Sequence, residues 1–434
     1  MSAVDVPVAL LGYGTVGSAV HRLLEDGAEE IERATGHRLR VVRALVRDPA
    51  REREHAAPDG LLTDDFGAIR KAGVAIVAEV MGGVEPTGEY VLELLRGGTP
   101  VVTANKQLVA RSGPELFAAA AEGGVQLRFE ASVCAAIPVI KLLRESLVVT
   151  NVHRVLGIVN GTTNFVLGEM EGGHSYAGAL AEAQRLGYAE ADPTEDVSGL
   201  DAAAKMAILA TVAFGTRVPL DWIEVSGIDT VRDEHVAAAR ALDMRVKLVG
   251  DAMLVGDRVG VRVRPAFVDA RHPLAAVEGA FNAVMLHGDA IREITLEGPG
   301  AGGLETASAV VADMVSVLGT GGTGFLNADP VRRSLERLPA GELRSPHYLR
   351  LEVEDRTGVL ARIAQELADE GVSVARLVQQ PGDGHAVLHV VTHEAPAGKV
   401  HAALESIRAL PEARRRAVAV PVVSSRGVAE LGWT

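Results

Sequence analysis

Residues 12–17 read Gly-Tyr-Gly-Thr-Val-Gly, directly after an apolar, partly β-branched run at 6–11 and directly before a helix-like stretch at 18–30. Strand, glycine turn and helix in that order form a dinucleotide fingerprint and point to a doubly wound α/β sheet. Gly12 permits the tight turn, and Gly14 lets the main chain approach a pyrophosphate. Gly17 allows close helix–strand packing, and the helix N-terminus stabilises the anion. The bland alternative is a glycine turn that only packs tightly.

The next strand, 39–46, ends in Arg47 and Asp48. It comes later than the usual spacing of about twenty residues, so the first helix and its loop must be extended. Asp48 suits a ribose 2′-hydroxyl, which favours NAD, and Arg47 suits a 2′-phosphate, which favours NADP. Arg51 and Arg53 tip the balance toward NADP, or else belong to a solvated loop. Further strands are expected at 75–80, 100–103 and 125–129, with a helix at 88–96. Thr103-Ala104-Asn105-Lys106 follows a strand end, where Lys106 can meet a cofactor or an anionic substrate and Asn105 can cap a helix.

The densest chemistry lies at 187–210, GYAEADPTEDVSGLDAAAKMAILA. Its first half carries Glu190, Asp192, Glu195 and Asp196; its second half is an apolar helix charged only at Asp201 and Lys205. Those two lie four apart on one helix face. A surface ion pair is the plain reading, but the surrounding alanines, Met206, Ile208 and Leu209 leave no polar face to solvate it. A lysine in such a setting has a movable pKa, which suits proton transfer near neutral pH.

Composition narrows the partners. The chain has 434 residues, 48% hydrophobic and 23% charged, with a net charge of −14. That length suits two or three domains, and the charge argues against nucleic acid. The single cysteine, Cys134, excludes a disulfide framework or zinc cluster and fits a reducing, cytoplasmic location. The N-terminus does not read as a signal peptide, and no apolar run is long enough to span a bilayer. His153, His174, His272 and His287 read as loop or surface residues.

Gly187, Tyr188, Glu190, Asp192, Pro193, Asp196, Gly199, Asp201 and Lys205 together resemble the substrate-site signature of homoserine dehydrogenases. Similar family elements recur at 103–106, at Asn160-Gly161-Thr162-Thr163-Asn164, where Thr162 and Thr163 are also competent helix N-caps, and at the glycine-rich segment 298–306. The resemblance implies reversible hydride transfer between NAD(P)H and aspartate 4-semialdehyde, giving homoserine. It implies Lys205, Asp201 and Lys106 as catalytic residues, with Glu190, Asp201 and Lys205 holding the substrate. It implies cofactor contacts from Gly12, Gly14, Thr15, Val16, Gly17, Arg47, Thr103, Lys106, Gly187 and Gly303. The loop 130–138 resembles the family's monovalent-cation loop, which implies sodium or potassium held by the Glu130 side chain and the carbonyls of Val133, Ala135 and Ile137.

Beyond 346 the rhythm becomes strand, helix, strand, strand, helix, strand: 348–353, 359–370, 372–379, 386–392, 399–410 and 417–423. That is a ferredoxin-like order. With Asp355-Arg356-Thr357-Gly358 as its first turn it resembles an ACT domain, which implies feedback inhibition by threonine, with Gly358 near the effector or a paired interface; the plain alternative is a dimerisation module without a ligand.

The expected architecture is a Rossmann-type dinucleotide domain at 1–135, completed by about 300–325. An α+β substrate and dimerisation domain at 136–299, a linker at 326–346 and an ACT-like module at 347–425 follow. A fused kinase is not expected, and a homodimer or homotetramer is. The rival readings are a dehydrogenase for a related amino-acid aldehyde and a catalytically inactive amino-acid sensor.

Overall fold

The computed structural model describes residues 4–53, 55–320, 329–382, 385–414 and 417–424. The chain divides into two compact units: 1–155 with 204–220 and 282–335, and 156–203 with 221–281 and 336–434. Segments of each unit alternate along the chain, and the return expected at about 300–325 falls within the 282–335 segment of the first.

The first unit is built on six parallel strands: β1 (Val4–Leu11), β2 (His37–Leu45), β3 (Leu62–Thr63), β4 (Ile76–Glu79), β5 (Val101–Thr103) and β6 (Leu127–Arg128). Their spatial order is β3-β2-β1-β4-β5-β6, a doubly wound sheet whose order reverses beside β1. β1, buried from Val8 to Leu11, reads as a continuous apolar run because helices cover both faces of a parallel sheet. The late arrival of β2 has a local cause. The first helical stretch is two helices, Thr15–Asp26 and Ala28–Thr35, joined at Gly27.

The Gly303–Thr320 helix belongs to the same core. Ala307, Val310 and Met314 are buried in one cluster with Val8, Leu10 and Val20. The core of this unit is therefore completed by a helix far along the chain from β6, at Gly303–Thr320. Residues 321–325 of that expected completion lie outside the described residues.

In the second unit a long antiparallel hairpin, Met244–Val255 with Arg258–Asp269, runs in strict register from Arg258↔Val255 to Asp269↔Met244. The C-terminal module has the expected order: strand His347–Glu354, helix Val359–Asp369, strands Val374–Gly382 and His385–Thr392, helix Ala397–Ala409, strand Val418–Val423. Its strands are antiparallel, in the spatial order 418–423, 347–354, 385–392, 374–382. Leu349, Leu351, Ile363, Leu388, Val400 and Leu404 fill its core. The module is not a bead on a tether. Its last strand pairs in parallel with the hairpin, Phe267↔Val422 and Val268↔Val423, and the Phe267 and Tyr348 rings stack at 5.0 Å.

The stretch expected to be a linker is also structured. Glu336–Arg337 pairs with the hairpin, and Leu338 and Leu343 are buried with Ala340, Met253 packing against them. Its apolar residues are spaced among charges and glycines, which hides a short packed segment from composition alone. Residues 326–328 of that expectation, and residue 425 of the expected module, lie outside the described residues.

Candidate functional site

The glycine loop between β1 and the Thr15–Asp26 helix has a different constraint at each glycine. Gly12 adopts φ +108°, and a Cβ there would lie 2.8 Å from the Val80 carbonyl oxygen. A Cβ on Gly17 would meet the Gly12 carbonyl oxygen at 2.3 Å, so helix and turn are in van der Waals contact. Around Gly14 a Cβ would meet nothing within 4 Å. The open main chain at Gly14, the helix N-terminus beside it and the absence of acidic residues from the first turn leave an anion-sized approach. The cleft over this loop has a volume of about 450 Å³ and is lined by Gly12, Gly14, Thr15, Arg47, Asp48 and Met81 among others.

Gly303 brings the second glycine-rich segment to this loop: a Cβ on it would lie 2.7 Å from Thr15 Cγ2. At the second strand end, Asp48 Oδ1 accepts from the Ala50 N–H at 2.9 Å, a local turn bond. Arg53 donates to the carbonyls of Asp48 and Arg51, at 2.7 and 2.6 Å, and so braces the loop. Arg47 is exposed and lines the cleft. At β5, Asn105 caps the Lys106–Glu122 helix, its Oδ1 accepting from the Leu108 N–H at 3.0 Å. Half-buried Lys106 is thus the first residue of a helix beginning at the carboxyl edge of the sheet.

The loop after β6 bends through two consecutive non-glycine residues in the left-handed region, Cys134 (φ +56°) and Ala135 (φ +40°). Such residues are costly and persist where the surroundings impose them. Glu130 is buried, and its two carboxylate oxygens accept from the Ile140 and Lys141 N–H groups at 2.8 Å each. Burial, then the nearby Asp313 carboxylate, push the Glu130 carboxyl up to about 7. Among the described residues no three His, Cys, Asp or Glu side chains gather as a metal site.

In the second unit, the acidic stretch sorts by role. Asp192 is exposed and local: its Oδ1 accepts from the Thr194 hydroxyl at 2.6 Å and N–H at 3.1 Å, which hold its pKa below the usual carboxylate range. Glu190 is exposed, on a turn begun by Gly187 at φ +79°. That turn is tied down by Thr162 Oγ1 donating to the Tyr188 carbonyl at 2.5 Å and by Gln184 Nε2 donating to the Glu190 carbonyl at 3.1 Å. Asp201 is only 3% exposed. It opens the Leu200–Phe214 helix, which carries Lys205 one turn on.

Asn160 joins two of these carboxylates. Its Nδ2 donates to Asp196 Oδ1 at 2.7 Å and to Asp201 Oδ2 at 2.8 Å, and its Oδ1 accepts from the Thr163 N–H at 2.8 Å. Asn160 is therefore the N-cap of the Gly161–Glu171 helix, and Thr162 and Thr163 lie inside it. The sequence reading missed this hub. Its signal was present: an asparagine after a strand is as strong an N-cap as threonine. His272, read as a surface residue, is buried, and its Nδ1 accepts from the Leu274 N–H at 3.2 Å.

Three family models cover most of the chain. Residues 12–130 match the homoserine dehydrogenase NAD-binding domain, residues 138–315 match homoserine dehydrogenase, and residues 347–412 match the ACT domain. Homoserine dehydrogenase of Corynebacterium glutamicum is 42% identical over 415 residues, covering 94% of this chain and 93% of the relative. That of Bacillus subtilis is 40% identical over 398 residues, covering 89% and 91%. The chain belongs to the homoserine dehydrogenase family. A crystal structure of the enzyme from Thiobacillus denitrificans superposes with a TM-score of 0.91 at 39% identity, over 98% of this chain and all (100%) of that one. The Staphylococcus aureus enzyme at pH 8.5 gives 0.76 at 30% identity, covering 97% of this chain and 99% of that one. Membership makes the chain an NAD(P)-dependent oxidoreductase with a C-terminal ACT domain. Among the described residues no helix is long and apolar enough to cross a membrane.

Proposed function

We propose that the chain oxidises L-homoserine to L-aspartate 4-semialdehyde, and runs the reverse reduction, with NADP(H) as the preferred cofactor. The observation that carries the reading is the acidic stretch itself. A buried Asp201, fixed by Asn160, opens an apolar helix that bears Lys205 one turn further on. A buried carboxylate fixed in this way suits an ammonium or hydroxyl group better than a structural role.

The nicotinamide supplies the hydride acceptor or donor. Gly12, Gly14, Thr15, Val16, Gly17, Thr103 and Gly303 would hold the cofactor, and Gly187 is a further proposed contact. Glu190 and Asp201 bind the substrate ammonium and orient its hydroxyl. Lys205 Nζ takes the hydroxyl proton in oxidation and returns it in reduction, which stabilises the negative charge that develops on oxygen. Lys106 is the second cation available for that charge.

The preference for NADP rests on Arg47, which lines the cleft as an exposed cation; Asp48 lines it too, with its Oδ1 engaged in a local turn. A hyperthermophilic archaeal homoserine dehydrogenase has been solved with NADPH, at 28% identity and a TM-score of 0.61, covering 73% of this chain and 99% of that one. A monovalent cation, sodium or potassium, fits the loop of Glu130, Val133, Ala135 and Ile137, where its charge would keep Glu130 ionised despite burial. Threonine is the proposed effector of the ACT domain, and a cytoplasmic homodimer or homotetramer is the proposed form.

Steady-state rates of cofactor reduction with homoserine test this directly. Lys205→Ala is expected to lower kcat by roughly 10²–10⁴-fold with the fold retained. Arg47→Ala is expected to lower kcat/KM for NADP and to leave that for NAD nearly unchanged. Near-normal turnover of Lys205→Ala would remove Lys205 from the chemistry, and equal losses with both cofactors would remove Arg47 from phosphate recognition.

A further inference from the structure

Glu79 ends β4 and is fully buried, at 0% exposure. Its partners are main-chain and hydroxyl donors from two loops at the carboxyl edge of the sheet. Oε1 accepts from the Met81 N–H at 2.8 Å and the Gly82 N–H at 3.2 Å. Oε2 accepts from Thr103 Oγ1 at 2.5 Å. The chain of bonds continues: Thr103 Oγ1 accepts from the Asn105 N–H at 3.0 Å, and Asn105 Nδ2 donates to the Gly83 carbonyl at 2.6 Å. Asn105 then caps the helix whose first residue is Lys106.

These donors are neutral. Burial pushes the Glu79 carboxyl above the ordinary range, against the opposing bonds from Thr103, Met81, Gly82 and Asn105. A buried carboxylate held by neutral donors is an expensive way to stabilise a fold. An apolar residue here would strand two consecutive main-chain N–H groups and the Thr103 hydroxyl. The turn that Glu79 holds also needs special backbone: Gly82 and Gly83 both adopt φ +72°. Met81, held through its N–H, lines the cofactor cleft. Thr103 is itself fully buried, so its hydroxyl serves this relay, and any cofactor contact from that residue is made by its main chain.

We propose that Glu79 is a positioning residue of the dehydrogenase reaction, locking the 81–83 turn and the 103–106 loop together so that Lys106 starts its helix at a fixed place on the carboxyl edge of the sheet. This rests on the reading of Lys106 as a group of the reaction centre. Glu79 does not touch substrate; it acts through the Thr103–Asn105 relay. Loss of the relay is a loss of alignment, which lowers the rate of the chemical step more than it lowers binding.

The test uses the full-length chain with Glu79→Gln, Thr103→Val, the double variant and Lys106→Ala, each assayed for kcat, KM for homoserine and thermal midpoint. Glu79→Gln keeps the size and one carbonyl oxygen, so it can accept from Thr103 Oγ1 or from the Met81 and Gly82 N–H groups, but not from both. Each single variant is expected to lower kcat by about tenfold or more, with KM for homoserine changed much less and a cooperative melt retained. The double variant is expected to be no worse than the poorer single, because both cut one relay. If Glu79→Gln turns over as the parent does while Lys106→Ala is crippled, the relay is overturned and the Lys106 reading stands. Additive losses in the double variant also overturn the relay. If Lys106→Ala is near normal, the Lys106 reading fails and takes the proposal with it. Should Glu79→Gln not fold, Thr103→Val carries the same decision.

Discussion

Asn160 donates to two carboxylates and caps a helix with its oxygen, three jobs that different substitutions separate. Serine at 160 keeps an oxygen for the Thr163 N–H but loses both donors to Asp196 and Asp201. Asn160→Ser is expected to keep the thermal midpoint and to lower kcat/KM for homoserine by roughly 10- to 100-fold, the size of losing one or two charge-assisted hydrogen bonds. A rate within twofold of the parent, measured by steady-state kinetics, would reduce Asn160 to a helix cap. The sequence supplied the types and spacing of Asp196, Asp201 and Lys205, because those follow from helix periodicity and from an apolar context. It did not supply Asn160 as their common partner, since that contact joins residues 36 and 41 positions apart. Glu79 had a visible sign, a lone acid closing the apolar run Ala75-Ile76-Val77-Ala78. Which loops it ties together depends on strand order, and no local pattern carries that.

At the level of elements, five of the six strands of the nucleotide sheet were legible from apolar runs bounded by turn or capping residues; β3 and the Phe66–Lys71 helix are too short to show a periodicity. The extended connection before β2 was legible as a length; its break at Gly27 was not, since a helix of either length would satisfy the spacing. The seam between the 244–269 hairpin and the C-terminal module was hidden for another reason. Main-chain pairing of Val268 with Val423 leaves no sequence signature. The first strand of that module makes a prediction about acid. His347 is fully buried, and burial, then Arg264 and Arg262, push its pKa down to about 3. The folded chain holds it neutral, while the unfolded chain protonates it below about 6.5. The unfolded state therefore binds more protons between about pH 6.5 and 3, and stability falls as pH falls through that window. His347→Gln is expected to lose less of its thermal midpoint between about pH 7 and pH 5 than the parent does. His235, His389 and His401 are also pushed down by burial, so the variant keeps part of the slope. Equal losses in calorimetric scans of the two proteins would remove His347 from the acid response.

Across the whole molecule the sequence conveyed the class of fold, the family and the presence of a C-terminal module, because separate motifs appear in one order over nearly the full length. It conveyed that a segment near 300–325 returns to the nucleotide domain, and the compact unit draws in a wider stretch, 282–335, together with 204–220. It also read as a tether the segment around Leu338 and Leu343, which is packed. Because the module shares a sheet with the hairpin, an effector on it would act through continuous main-chain pairing rather than through a flexible joint. Titration calorimetry with L-threonine is expected to show saturable heat in the full-length chain and a parallel fall in rate. No heat and an unchanged rate would leave the module a purely structural one. The most direct test of the account remains the appearance of reduced nicotinamide absorbance when purified protein meets L-homoserine and NADP⁺ in sodium or potassium buffer. A homoserine-dependent rise, faster with NADP⁺ than with NAD⁺ and lost in Lys205→Ala, is the expected result. Folded protein that gives no rise with either cofactor would contradict it.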